Sequence, residues 1–380
     1  MSVIYLDFNR TTPLAPSVVE AMQPYWMTHY MLPDQGHAHA QAIGEALENA
    51  REGVAMMAGC EPFEIVFTSG GTEANNLAIL GSLAGQDPAH ILVTDLEHQS
   101  VLEPARQLAS QGWEVESVPC EIDGVIDPDR VAEMIRDDTA LVCVQLANPV
   151  LGTIQPIHEI AAICDKRGVP VHSDATQAFG KMPVGVTQMG ASTVAISGHK
   201  FYGPKGSGAI YVRRGRHLSP ILFGEPREMG LRPGAENVPA CIGLGAAASL
   251  SARCAADVSG TLSDLRDYFF NGLESTLGGQ AILLCEDSPR LPNTLAIEMP
   301  ASARQIQKAA RHLVMATAQS NSPPDEMTRA LKAIGRTDSQ IGRTLRLSMG
   351  WTTSHEQIDR AIELLAEASD GACNGTPSGG

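Results

Sequence analysis

Short apolar runs separated by amphipathic segments of helical length fill the first two thirds of the chain, and this alternation restricts the fold more than any other feature. EIVFTS (64–69), HILVTD (90–95), ALVCVQLA (140–147), PVHSDA (170–175) and STVAIS (192–197) are rich in Val and Ile and apolar on both faces. Parallel strands covered by helices on each side read this way. Between them EANNLAILGSLAG (73–85), HQSVLEPARQLASQG (98–112) and IHEIAAICDKRG (157–168) carry helical patterns, the last closing on Gly168. Strand, helix, strand in repetition predicts a doubly wound α/β domain, with ligands at the carboxyl ends of its strands. From about residue 250 the pattern changes to long helices with a few strands, as in LSDLRDYFFNGLES (262–275), NTLAIEM (293–299), DEMTRALKAIG (325–335), TLRLSMG (344–350) and SHEQIDRAIELLAEA (354–368). The expected organisation is a large α/β domain over 14–255 and a smaller α+β domain formed by 1–13 and 256–368. A Gly- and Ser-rich tail over 369–380 is expected to be disordered.

Charge narrows the function classes. Lys and Arg total 27 against 43 Asp and Glu, a net charge of -16, and no basic tract tracks a phosphate backbone. A nucleic-acid partner is therefore not expected. The N-terminus has no basic segment followed by a long apolar run, and no later stretch approaches the roughly 18 uninterrupted apolar residues of a membrane helix, so a cytoplasmic protein without a membrane partner is expected. Eight cysteines are scattered without a CxxC pair, which suggests neither a zinc site nor a disulfide framework. His37 and His39 stand two apart without a carboxylate or thiol companion and read as a surface loop, so no metal is expected.

Several strand ends carry polar clusters. After EIVFTS, Gly70 and Gly71 let a ligand approach the backbone, Thr72 adds a hydroxyl, and the following helix offers unpaired amides, the parts of a phosphate cradle. His98 follows HILVTD, Asp174 ends PVHSD with Gln177 one turn on, and Ser197, His199 and Lys200 follow STVAI. A lysine ending a buried strand, flanked by a hydroxyl, an imidazole and glycines, is placed to be desolvated and nucleophilic. Each group alone has an ordinary explanation: a helix cap, a rim histidine, a solvated lysine. Together they suit a cofactor with a phosphate, an aldehyde and a basic ring nitrogen, which describes pyridoxal 5'-phosphate.

The motifs YLDFNRTTPLAP, EIVFTSGGTEANNLAI, HILVTDLEHQSVLEPAR, ANPVLGTIQPI, HSDATQAFGKMPV, SGHKFYGPKGSGAIYV, RPGAENVPACIGLGAA and TLRLSMGWTTSHEQIDRAIELL, in this order, closely resemble those of cysteine desulfurases of the class V aminotransferase group. The resemblance runs from residue 3 to about 367 and implies a fold-type I pyridoxal phosphate enzyme. It also implies a homodimer in which the 230–237 segment lies near the partner's cofactor. Carried over, Lys200 links to the cofactor aldehyde and shuttles the Cα proton, Asp174 pairs with the ring nitrogen, His98 stacks on the ring and Gln177 bonds the phenolic oxygen. Gly71, Thr72, Ser197 and His199 belong to the phosphate site. Asn148 lies beside cofactor and substrate, and Arg346 takes the substrate carboxylate with the bidentate geometry of a guanidinium.

Four positions depart from the pattern. The loop cysteine that becomes a persulfide in desulfurases is matched by Ser320 or Asn321 in MATAQSNSPP, and neither replaces a thiolate. Pro149 and Val150 replace the usual Asn-Glu after Asn148, Arg10 stands for an alanine, and Ala235 stands for the threonine lent to a neighbouring subunit's phosphate. With the parts that labilise bonds at Cα retained and no thiol acceptor, the expected activity is C–S cleavage of cysteine or a cysteine S-conjugate by β-elimination. Decarboxylation or deamination from the same bound substrate is the variant. Desulfurase-like enzymes of lincosamide antibiotic biosynthesis resemble this type, and Arg10 offers an anchor for a larger substrate. The alternatives are a cysteine desulfurase with its cysteine substituted, and a non-catalytic scaffold that binds a sulfur carrier.

Overall fold

The computed structural model describes residues 3–319 and 324–374. Seven strands form one mixed sheet in the order Ile65–Thr68, Gly208–Val212, Thr193–Ser197, Val171–Asp174, Thr139–Cys143, His90–Thr94, Glu114–Val118. From Thr193–Ser197 to Glu114–Val118 every pairing is parallel. Ile65–Thr68, expected to be parallel, pairs antiparallel with Gly208–Val212, which is itself antiparallel to Thr193–Ser197. The reason is the short connection after Ser197. It cannot hold the crossover that a parallel neighbour needs, so the chain doubles straight back and inserts a strand between the edge and the parallel core. Glu114–Val118 escapes a search for apolar runs because it is an edge strand with Glu114, Glu116 and Ser117 exposed.

Two long helices brace this domain. Ala38–Ala58 begins on His37, whose ring accepts from the Ala40 amide, so this histidine caps a helix. It crosses the 39-residue helix Val238–Thr276 at Gly53 and Gly245. A Cβ added at Gly245 would lie 2.4 Å from the Ala50 Cα, so only glycine admits this approach. Val238–Thr276 is long and apolar enough to cross a bilayer, but 56% of its apolar window is buried in the protein, as in a core helix. Its first half packs in the large core, whereas Leu262, Leu265, Phe269 and Leu273 pack in the smaller one.

The smaller core surrounds an antiparallel sheet in the order Ala316–Thr317, Thr344–Ser348, Thr294–Glu298, Ile282–Leu283. Ile4 and Leu6 pack there, and Ile4–Tyr5 pairs with Leu313–Val314. The N-terminal chain then runs to Phe8, Ala15 and Val18 in the large core, so residues 7–12 bridge the two bodies. Helix Glu326–Ala333 buries Met327, Ala330 and Leu331 in the large core, although its sequence position falls within 256–368. The final helix, His355–Asn374, continues through 369–374, where the sequence predicts disorder. Ala368 and Ser369 are buried and the Ser369 hydroxyl donates to Leu365 O, so the apolar stripe anchors the helix beyond the last periodic residue of the sequence pattern. The remainder of the tail, 375–380, lies outside the described residues.

Candidate active site

A cavity of about 590 Å³ opens at the carboxyl ends of the parallel strands, with Arg346 and Glu326 contributed from the C-terminal third of the chain. Gly71, Thr72, His98, Asp174, Gln177, Ser197, His199, Lys200, Arg346 and Arg10 all line it. Asn148 does not. Its Oδ1 accepts from the Val150 and Leu151 amides and its Nδ2 donates to Leu96 O, so the side chain is engaged in folding the turn that carries Pro149. Ser320 and Asn321 lie outside the described residues.

Lys200 sits on a 3-10 turn, Gly198–Lys200, directly after its strand. Its amine donates to Asn9 O at 2.7 Å and Arg10 O at 3.1 Å, both on the bridging segment. Burial pushes its pKa down to about 8; Arg346 and Arg10 lower it further, while Glu326 and Asp174 oppose the shift. At pH 7 roughly a tenth of such amines are neutral, against on the order of one in three thousand for an ordinary lysine. A larger neutral fraction suits an amine to act as a nucleophile or base.

Asp174 lies on the cavity floor, 7% exposed, and its carboxylate accepts from the Thr176 amide at 3.0 Å and Asn75 Nδ2 at 2.8 Å. Asn75, fully buried on helix Gly71–Leu83, also donates to Ser100 Oγ at 2.7 Å. With both of these bonds made by its nitrogen, its oxygen must accept from His172 Nε2 at 2.9 Å, leaving His172 Nδ1 to accept from the Thr193 hydroxyl. Burial lowers the His172 pKa to about 4, which agrees with this neutral tautomer. Ser100 in turn donates to His98 Nδ1, so the His98 proton is on Nε2 and its exposed ring faces the cavity. Replacing Asn75 with alanine strips partners from Asp174, Ser100 and His172 together. We expect a loss of about 1–3 kcal/mol in urea unfolding of the apoprotein.

Gly70, Gly71 and Thr72 line the cavity at a helix start, and Ser197 and His199 line it as well. Gly70 has φ 148°, and a Cβ at Gly71 would lie 2.8 Å from Thr176 Cγ2, filling the cradle. His199 Nδ1 is 3.1 Å from the Thr11 hydroxyl. Burial, with Lys200, Lys205 and Arg10 nearby, lowers its pKa to about 4. Arg346 is paired with Asp7 and donates to Pro149 O at 3.4 Å, while its Nε is buried without a partner.

The chain matches known proteins over most of its length. The aminotransferase class-V family matches residues 4–361. The chain belongs to the class-V aminotransferase family. It is 38% identical over 373 residues to cysteine desulfurase IscS 1 of Archaeoglobus fulgidus, covering 95% of each chain. To a cysteine desulfurase of Nostoc it is 39% identical over 379 residues, covering 97% of this chain and 93% of the other. Among solved structures it resembles a NifS-like protein with a TM-score of 0.89 at 29% identity, covering 96% and 98% of the two chains. It also resembles SspA in complex with cysteine, with a TM-score of 0.80 at 30% identity over 91% and 98%.

As a class-V aminotransferase the chain is a fold-type I, pyridoxal phosphate-dependent enzyme of the cysteine desulfurase-like group. The cavity fits that cofactor. Its glycine-lined helix start suits the phosphate, Asp174 the ring nitrogen, the His98 face the ring and the Lys200 amine the aldehyde. Asn75, Ser100 and His172 were missed in the sequence, although Asn75 is a polar residue on a buried helix face and His172 stands two before Asp174, on the same face of its strand. Asn9 and Lys181 were missed as well.

Proposed function

We propose that this enzyme cleaves the Cβ–S bond of cysteine or a cysteine S-conjugate by β-elimination, without a persulfide-forming cysteine. The observation that carries this reading is the cavity lining, which combines the Lys200 amine and the Arg346 guanidinium and includes no cysteine among its described residues. The segment 315–325 contains no cysteine in its sequence. Elsewhere burial pushes the Cys285 thiol up to about 11 and Cys120 to about 12, leaving little thiolate for attack on sulfur.

When bound, pyridoxal phosphate supplies the electron-withdrawing ring that lets a bond at Cα break heterolytically. Arg346, already oriented by Asp7, holds the α-carboxylate. Lys200 takes the Cα proton; the released pair forms the Cα–Cβ double bond and the Cβ–S pair leaves on sulfur. The unsaturated amino acid released tautomerises to an imine, which water hydrolyses to pyruvate and ammonia. A partly neutral Lys200 is available to take the Cα proton. Arg10 lines the cavity mouth and supports a substrate larger than cysteine. Together with the broken motifs it supports a natural-product setting of the lincosamide type.

The reading includes a homodimer. Trp26, Met27 and Tyr30 are 60%, 84% and 72% exposed, and Phe223, near the 230–237 segment, is 91% exposed. Large apolar groups left in water at this density suit a second copy of the chain. Sedimentation at several concentrations should give twice the 40.3 kDa chain mass.

The product test uses a panel of S-substituted cysteines beside free cysteine. We expect stoichiometric pyruvate, ammonia and free thiol from at least one conjugate, faster than from cysteine, with no sulfane sulfur on the protein by mass spectrometry. A persulfide on any cysteine during turnover would return the enzyme to the desulfurases. Purified protein without the absorbance of a lysine-linked cofactor would favour the scaffold.

A further inference from the structure

Lys181 is an anomaly. It is 4% exposed, and its amine makes two hydrogen bonds, to Gln177 Oε1 at 2.7 Å and Asn9 Oδ1 at 2.9 Å. No described carboxylate pairs with it; the charged groups facing it are Lys200 and Arg346, both cationic. Burial, with Lys200 and Arg346 facing it, pushes its pKa well below the ordinary lysine value, and a polar amine kept under those conditions has a task that a smaller apolar side chain would not perform.

The bonds show the task. An amide side chain can present either end to a cavity, and Gln177 is fixed by Lys181 donating to its oxygen while its nitrogen donates to Asn9 O at 3.1 Å. The second N–H of that nitrogen is then available as a donor toward the cavity, which Gln177 lines. Asn9 ties the arrangement to Lys200: its backbone oxygen accepts from Lys200, and its side-chain oxygen accepts from Lys181 and from Asn293 Nδ2 at 3.1 Å. One residue on the bridging segment therefore holds both lysines and the glutamine.

We propose that Lys181 is a positioning residue: by donating to Gln177 Oε1 and Asn9 Oδ1 it makes Gln177 present a hydrogen-bond donor, not an acceptor, to the ring oxygen of the bound cofactor. A donor at that oxygen competes with the proton the oxygen shares with the Lys200 nitrogen, and so lowers the pH at which the lysine-linked cofactor loses that proton. Other charged groups facing Lys200, namely Asp174, Glu326, Arg346 and Arg10, set the background on which this effect acts. The proposal rests on the reading of this cavity as the cofactor site.

The experiment is a spectrophotometric pH titration of the holoenzyme without substrate, on wild type, Lys181→Met, Gln177→Leu and the double variant. Lys181→Met should move the absorbance midpoint upward by about one pH unit, and Lys181→Arg, which keeps a donor, should restore most of it. If Lys181 acts through Gln177, the double variant should match Gln177→Leu alone. An unmoved midpoint in Lys181→Met, or shifts that add in the double variant, would overturn the role of Lys181. An unmoved midpoint in Gln177→Leu would instead overturn the placement of the ring oxygen. Should Lys181→Met fail to fold, Asn9→Ala removes one of the two acceptors and leaves Lys181 in place. A smaller upward shift is then expected, and no shift would count against the proposal.

Discussion

Lys200→Ala is expected to abolish the absorbance of the lysine-linked cofactor and to lower turnover of any amino-acid substrate by at least about 10³-fold, because one side chain supplies both the covalent anchor and the base at Cα. The same variant carries a stability signature that tests the environment of Lys200 independently of chemistry. Its folded pKa of about 8 lies below the ordinary lysine value of 10.5, so the folded apoprotein resists protonating it and the unfolded chain does not. The sign follows from proton uptake on unfolding: the deficit is fully present below about pH 8 and disappears as pH rises through the unfolded lysine's range. The apoprotein of Lys200→Ala should therefore unfold at higher urea than wild type at pH 7, with the gap closing by about pH 10.5. Equal midpoints at both pH values would mean that the amine is solvated and that its use as a base at neutral pH needs another cause.

The four interior parallel strands were legible because they are buried on both faces, where continuous apolar runs are the only solution, whereas the parallel edge strand Glu114–Val118 was not. The antiparallel insertion of Gly208–Val212 was not, since GAIYV is as apolar as its neighbours and only loop length distinguishes the pairing. Within the site, Lys200, Asp174 and His98 stand out by following strands, whereas Asn75 and Lys181 are hidden inside apolar surroundings and show their roles only when partners 25 to 172 residues away arrive. Asn148 is the opposite case. A polar residue after a strand resembles a site residue, but Pro149 follows it, and the carboxamide serves the turn instead. Motif position identifies which backbone segment reaches the cavity, and hydrogen-bond competition decides which side chain of that segment faces it.

The largest expected loss of stability is at Arg51. Its guanidinium meets Glu228 through two bonds of 2.7 and 2.8 Å, donates to Ile65 O at 2.8 Å and lies 4.6 Å over the Phe67 ring. Glu228 also accepts from the Phe67 amide at 2.8 Å, and the two side chains are 8% and 6% exposed. The pair therefore fastens the 228–230 turn, where Glu228 and Met229 take φ of 46° and 58°, to the open side of the edge strand Ile65–Thr68. Arg51→Ala leaves a buried carboxylate facing a strand edge with no cation, and should cost about 3–5 kcal/mol in urea unfolding. Because the strand leads directly into Gly70 and Gly71, the variant should also release cofactor more readily, read as faster loss of absorbance on dilution. Arg51→Met with Glu228→Leu removes both charges and should recover much of the lost stability. If the double variant is instead as unstable as the sum of its parts, the backbone bonds to Ile65 and Phe67, and not the buried charge left alone, hold the edge.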